Sequence, residues 1–260
     1  MTVKHPLTEF RTQSVVSIRW ALRRSWETLQ GHGGRTLAQL AAKNIRHSFN
    51  LWRDASIDRR LGIKTGGLVK REHLDTDSPN KKFATIYKAT AAKPFMAMLS
   101  YLPKNLEDFT FVDFGSGRGR TLLLASELPF KRVVGVEFST TLHAEANNNI
   151  DSYCGRRKLG NRPESILADA TTFPIPNGPL VIYMFDPFNA TVTKGVFDNI
   201  VASYRACPRI MYFLYYGPVH KKIVLDTGIF SELPTAPLPP DPTLGRPLAF
   251  SLFATPEHNN

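Results

Sequence analysis

Gly115, Gly117 and Gly119 stand at alternate positions between two apolar stretches, Phe109 to Phe114 and Val133 to Val136. Glycine suits a backbone that turns sharply and comes close to a ligand. The N–H groups that open a following helix bind polar or anionic atoms. The second stretch runs into Glu137, where an acid can accept hydrogen bonds from the two hydroxyls of a ribose. Together these residues suit a nucleoside-containing ligand. The elements that must hold them are a buried strand, a glycine turn, a helix over about residues 121–128 and a second buried strand, in that order.

The glycine spacing separates two nucleotide readings. A dinucleotide-binding turn needs G-x-G-x-x-G. Its third glycine would fall at position 120, where the chain has Arg120. The chain instead reads G-x-G-x-G, with Asp113 two residues ahead. This acid-x-G-x-G-x-G pattern, followed by Glu137, resembles the S-adenosylmethionine (SAM) site of class I methyltransferases. The resemblance implies that Gly115, Ser116, Gly117 and Gly119 pass under the methionine part of SAM and that Glu137 holds the ribose. It gives Asp113 the role of orienting the turn and the SAM amino group. The plainer reading is a glycine turn that only packs helix on strand.

Downstream residues extend the resemblance. Asp169 and Ala170 follow a short strand near Ser165 to Leu167, where class I methyltransferases read the SAM adenine. A turn or helix-capping Asp is the rival reading. The apolar run Leu180 to Phe188 ends in Asp186-Pro187-Phe188. Ligands on open α/β sheets sit at the carboxyl ends of strands. The tripeptide resembles the [DN]-P-P-[FYW] motif of amino-methyltransferases, with one proline in place of two. There the acid accepts hydrogen bonds from the target nitrogen and the aromatic stacks on it, which implies acceptor roles for Asp186 and Phe188. A strand-ending turn with Phe188 in the core is the alternative. Tyr87 and Thr90 resemble the Y-x-P-[ST] element of small lysine methyltransferases, such as the group acting on the ATP-synthase c subunit, with Ala89 in place of proline. In that group both residues line the SAM pocket; a Tyr packed on a helix is the plain alternative. His220 also follows a strand and reads more readily as a cap.

Residues 83–253 as a whole resemble a class I SAM-dependent methyltransferase, and specifically a bacterial family with no assigned acceptor. The implied fold is α/β, a doubly wound, seven-stranded Rossmann-like sheet whose last two strands pair antiparallel. Residues 1–82 would form a basic helical extension and connector, and 83–260 the SAM-dependent domain.

The net charge of +11 is unevenly spread. Residues 1–71 carry 14 Lys/Arg against 4 Asp/Glu, and residues 72–260 carry 19 against 18. A basic segment attracts nucleic acid, acidic protein or anionic lipid. Val15, Ile18, Leu22, Trp26 and Leu29 form a helical stripe, and a second runs from Leu37 to Trp52. Packing on the enzyme body, a membrane-surface helix and a mitochondrial-type presequence are the three readings of this region. Residues 53–82 are rich in turn signals and read as a lid or strap over the cleft. Two cysteines, Cys154 and Cys207, make neither a disulfide framework nor a metal cluster. No apolar run approaches a membrane span and no secretory leader is evident, so the expected location is cytoplasmic.

The expected activity is methyl transfer from SAM to an acceptor, with a nitrogen on a protein side chain, lysine above all, in first place. Small-molecule and nucleic-acid acceptors remain open, the latter through the basic N-terminus. A non-catalytic SAM-binding interaction protein is the reading from another class.

Overall fold

Two strands, β3 (Thr110–Phe114) and β6 (Leu180–Phe185), form the middle of the sheet. Their sequences, TFVDF and LVIYMF, are mostly apolar and buried at nearly every position, as parallel strands covered on both faces must be. Side chains alternate between the faces. Phe111, Val181 and Tyr183 enter one core, and Val112, Phe114, Ile182 and Met184 enter the other.

The computed structural model describes residues 45, 56–70, 74–76, 78, 80, 87–157, 161–241 and 246–256. Apart from Ile45, which is helical, both expected N-terminal helices lie outside the described residues. The chain divides into two compact units, Met1–Trp52 and Arg53–Asn260. In the second, residues 56–61 are helical. A small hairpin pairs β1 (Leu68–Val69) with β2 (Tyr87–Lys88). Then follow α1 (Ala92–Leu99), β3, α2 (Arg120–Ala125), β4 (Arg132–Glu137), α3 (Thr140–Cys154) and β5 (Glu164–Leu167). After β6 come α4 (Ala190–Ala206), β7 (Met211–Tyr216), α5 (Lys221–Leu225), β8 (Ser231–Leu233) and β9 (Phe250–Ala254).

The sheet order is β5-β4-β3-β6-β7-β9-β8. Strands from β5 to β7 are parallel, and β9 runs antiparallel to both β7 and β8. This is the doubly wound, seven-stranded arrangement expected from the sequence. From β3 the chain winds outward through β4 to β5, then returns to β6 on the other side of β3. The carboxyl ends of β3 and β6 therefore flank the point where the order reverses, the usual ligand crevice of such sheets.

Local signals explain where the elements end. Asn189 caps α4 by accepting the Val192 N–H at 3.1 Å, which sets the start of that helix at Ala190. The strand from Leu180 stops at Phe185 because Asp186 takes φ +36, a left-handed conformation that leaves the extended path. Leu61 and Ile63 belong to the same core cluster as Phe95 and Phe111.

Phe213 is fully buried in β7, with the Phe197 ring 5.2 Å away and the Phe253 ring 5.7 Å away. Phe213→Ala is expected to cost about 3–5 kcal/mol, read as a lowered urea midpoint. Leu167→Ala, at the exposed sheet edge, should change stability by at most about 0.5 kcal/mol in the same titration.

Candidate functional site

A cavity of about 780 Å³ opens at the carboxyl ends of the central strands. That lies within the usual range for small-molecule sites. It brings together Asp113, Gly115 and Ser116 from β3 and its turn, Glu137 from β4, Tyr87 from β2, and Asp186 after β6. Thr90 and Phe188 also line it.

The glycine turn is tight against its surroundings. A Cβ on Gly115 would lie 2.7 Å from Cβ of Pro187, and one on Gly117 would lie 2.0 Å from the Tyr87 ring. Both glycines have positive φ, +82 and +54, so neither space nor backbone allows a side chain there. Gly119, also at positive φ, is the N-cap of α2. Ser116 lines the cavity, and its buried hydroxyl has no hydrogen-bond partner among the described residues. A buried polar group in that state is destabilising unless a ligand completes it.

Glu137 is buried, and its two oxygens accept the N–H groups of Gly117 at 2.8 Å and Ser139 at 2.9 Å. Asp113 is buried beneath the turn and accepts the Thr121 hydroxyl. Burial pushes both carboxyls up to about 7, and for Asp113 the charge of Glu137 adds to the shift. The acid expected at the ribose thus also braces the turn beneath the methionine end.

Tyr87 lies over Gly117, donates to the Thr65 carbonyl at 2.8 Å, and carries the Arg118 guanidinium 5.2 Å from its ring centroid. Thr90 is buried, its hydroxyl 2.8 Å from that of Tyr183.

Asp169 and Ala170 do not line the main cavity. They border a separate space of about 20 Å³, bounded also by Gly115, Phe138 and Phe188. That is room for about one water molecule. Asp169 accepts from Ser78 at 2.5 Å and Asn80 at 2.9 Å on one oxygen, and from the Thr171 N–H and hydroxyl at 2.9 and 2.6 Å on the other. Although burial raises it, these bonds bring its carboxyl below the ordinary value. In this arrangement, space for an adenine ring beside Asp169 requires the Ser78–Asn80 contacts or the Phe side chains to move.

Asp186 is half-buried and accepts the Tyr215 hydroxyl at 3.1 Å. Burial raises its carboxyl above the ordinary value, against the Tyr215 bond and the nearby His220 charge. Asp186 is the one non-glycine residue with positive φ among those described. Such conformations concentrate at functional sites. Phe188 belongs to the core and faces both cavities. His220 caps α5 through its backbone position, and its N–H reaches the Tyr215 oxygen at 3.3 Å.

Arg120, Asp58, Thr65 and Tyr215 had no role in the sequence reading and join the site only in the fold. Arg120 is fully buried and paired with Asp58 at 3.0 Å. A charge opening the apolar run TLLLA is the signal that points to it. Among the described residues no His/Cys/Asp/Glu group could hold a metal ion, and no helix is long and apolar enough to cross a membrane.

No protein-family model and no curated protein matches the chain. Solved structures do. One is the magnesium protoporphyrin IX methyltransferase of Synechocystis with bound SAM, 16% identical, covering 62% of this chain and 76% of that one at a TM-score of 0.46. A 23S rRNA methyltransferase, ErmE, is 12% identical over 63% of this chain and 67% of its own, at 0.44. An S-adenosylmethionine-dependent methyltransferase described as putative, from Listeria monocytogenes, is 13% identical over 64% and 99%, at 0.45. At such distances the site rests on its own geometry.

Between pH 4.5 and about 7 the folded protein keeps a proton on Glu137 that the unfolded chain releases. Stability therefore falls as pH rises across that window. Glu137→Gln, which cannot titrate, is expected to flatten the decline. Urea midpoints for both proteins across the window check this, and equal slopes would refute it.

Proposed function

We propose that this protein is a SAM-dependent methyltransferase acting on a nitrogen, with a lysine side chain of a protein as the favoured acceptor. The observation that carries the reading is one cavity that gathers Glu137, the start of the glycine turn with a Ser116 hydroxyl that has no partner among the described residues, and Asp186 in a strained backbone. The residues fit SAM. Gly115 and Ser116 line the cavity wall while Gly117 and Gly119 shape the turn behind it, Glu137 is an acceptor for ribose hydroxyls, and Asp113 stands by the turn for the amino group. Asp169 and Ala170 would take the adenine once their small space opens.

When bound, SAM supplies an electrophilic methyl group on a sulfonium. The protein's part is to hold an acceptor lone pair in line with it and to exclude water. A lysine must first lose a proton, against a free pKa near 10.4. Asp186 would take the hydrogen bond from the acceptor nitrogen. Its raised proton affinity makes it a stronger base than an exposed carboxylate, and Phe188 supplies an apolar wall. Tyr87 and Thr90 would close the same pocket.

The basic stretch of residues 1–71 suits an acidic docking partner and supports a macromolecular acceptor. The same charge supports a second reading, nucleic-acid methylation. A cytoplasmic location belongs to this proposal.

The test is transfer of label from isotopically labelled SAM into an extract of undermethylated cells, separated into protein, nucleic acid and small molecules. Label is expected in protein and absent with Glu137→Ala. That variant should bind SAM about 10- to 100-fold more weakly, the loss of one to two charge-assisted hydrogen bonds. Label in nucleic acid with a steep salt dependence would favour the second reading. Failure of the wild-type protein to bind SAM in calorimetry would overturn both.

A further inference from the structure

Arg120 ties two segments distant in sequence to the glycine turn. Its guanidinium donates to Asp58 at 3.0 Å, to the Thr65 hydroxyl at 2.6 Å and to the Thr90 carbonyl at 3.3 Å. Asp58 also accepts the Thr65 hydroxyl and the N–H groups of Thr65 and Gly66, each at 2.7 Å. Thr65 is fully buried, and its carbonyl accepts Tyr87, the side chain that covers Gly117. The flanking residues are fixed as well. Lys64 exchanges backbone bonds with the Asn149 amide at 2.7 and 3.2 Å, and Asn149 also donates to the Arg118 carbonyl at 3.0 Å. Arg118 in turn donates to the Gly66 carbonyl.

We propose that residues 58–66 are an integral outer wall of the SAM site, in which Asp58 and Thr65 act as positioning residues for the glycine turn. This rests on the SAM reading above. Neither side chain lines the cavity, whereas Arg120 and Tyr87 do. Asp58 and Thr65 act through those two side chains. Asp58 compensates the buried Arg120 charge, and Thr65 couples that charge to Tyr87. A glycine turn has little intrinsic preference for one conformation, so its shape must be imposed from outside. Arg120 imposes it at the turn's last residues, and Tyr87 imposes it from above.

The experiment measures SAM affinity by calorimetry on the full chain, at a temperature where circular dichroism shows every variant folded. Thr65→Val removes the hydroxyl and keeps the shape; Thr65→Ser keeps the hydroxyl. The expected result is about tenfold weaker binding for Thr65→Val, the scale of a lost charged hydrogen bond, with near wild-type affinity for Thr65→Ser. Asp58→Asn should weaken binding at least as much. A merely structural role predicts a lower melting temperature for Thr65→Val with unchanged SAM affinity, and that outcome overturns the proposal. Equal losses in Thr65→Val and Thr65→Ser overturn it too, because the hydroxyl would then not carry the effect. Wild-type protein that bound no SAM would sink the underlying reading along with it.

Discussion

β3 has a parallel neighbour on each side, and the chain reaches those neighbours by opposite routes. No connection can cross the carboxyl ends of β3 and β6, so a crevice is left there by topology alone. Every candidate residue in the main cavity is reached from it. The glycine turn leaves β3, Glu137 ends β4, and Asp186 ends the run of β6. Close packing of Gly115 on Pro187 then joins the two sides of the crevice.

The wall of the cavity combines apolar burial with acid groups. Asp113 and Glu137 are almost fully buried at the edge of the cavity and share the site with the buried Arg120. A buried charge needs a partner or a proton. Arg120 has Asp58 and Thr65, while the two acids hold protons more tightly than exposed carboxyls do. A cationic ligand would find acceptors already fixed in place, with little reorganisation required on binding.

The turn, Glu137 and Asp186 were legible because each depends on local pattern: glycine spacing, a strand end, an acid before proline. The apolar runs marked the strands, and the doubly wound arrangement of the sheet was what the resemblance implied. Other features were not legible because they are decided by contacts across the chain. Asp58 meets Arg120 over 62 residues, Thr90 meets Tyr183 over 93, and Asn80 meets Asp169 over 89. No periodicity encodes those pairings. The occupied state of Asp169 and the left-handed Asp186 are of the same kind, imposed by neighbours rather than by residue type.

The bonds between Lys64 and Asn149 span 85 residues. During synthesis the segment around Thr65 leaves the ribosome first, yet its anchoring partners do not exist until α3 has emerged. At about 5–20 residues per second that interval is roughly 4–17 s. Through it, Leu61 and Ile63, destined for the core, have no sheet to cover them. The wall that shapes the pocket is therefore made well before the helix that anchors it, and it can dock only once α3 has formed.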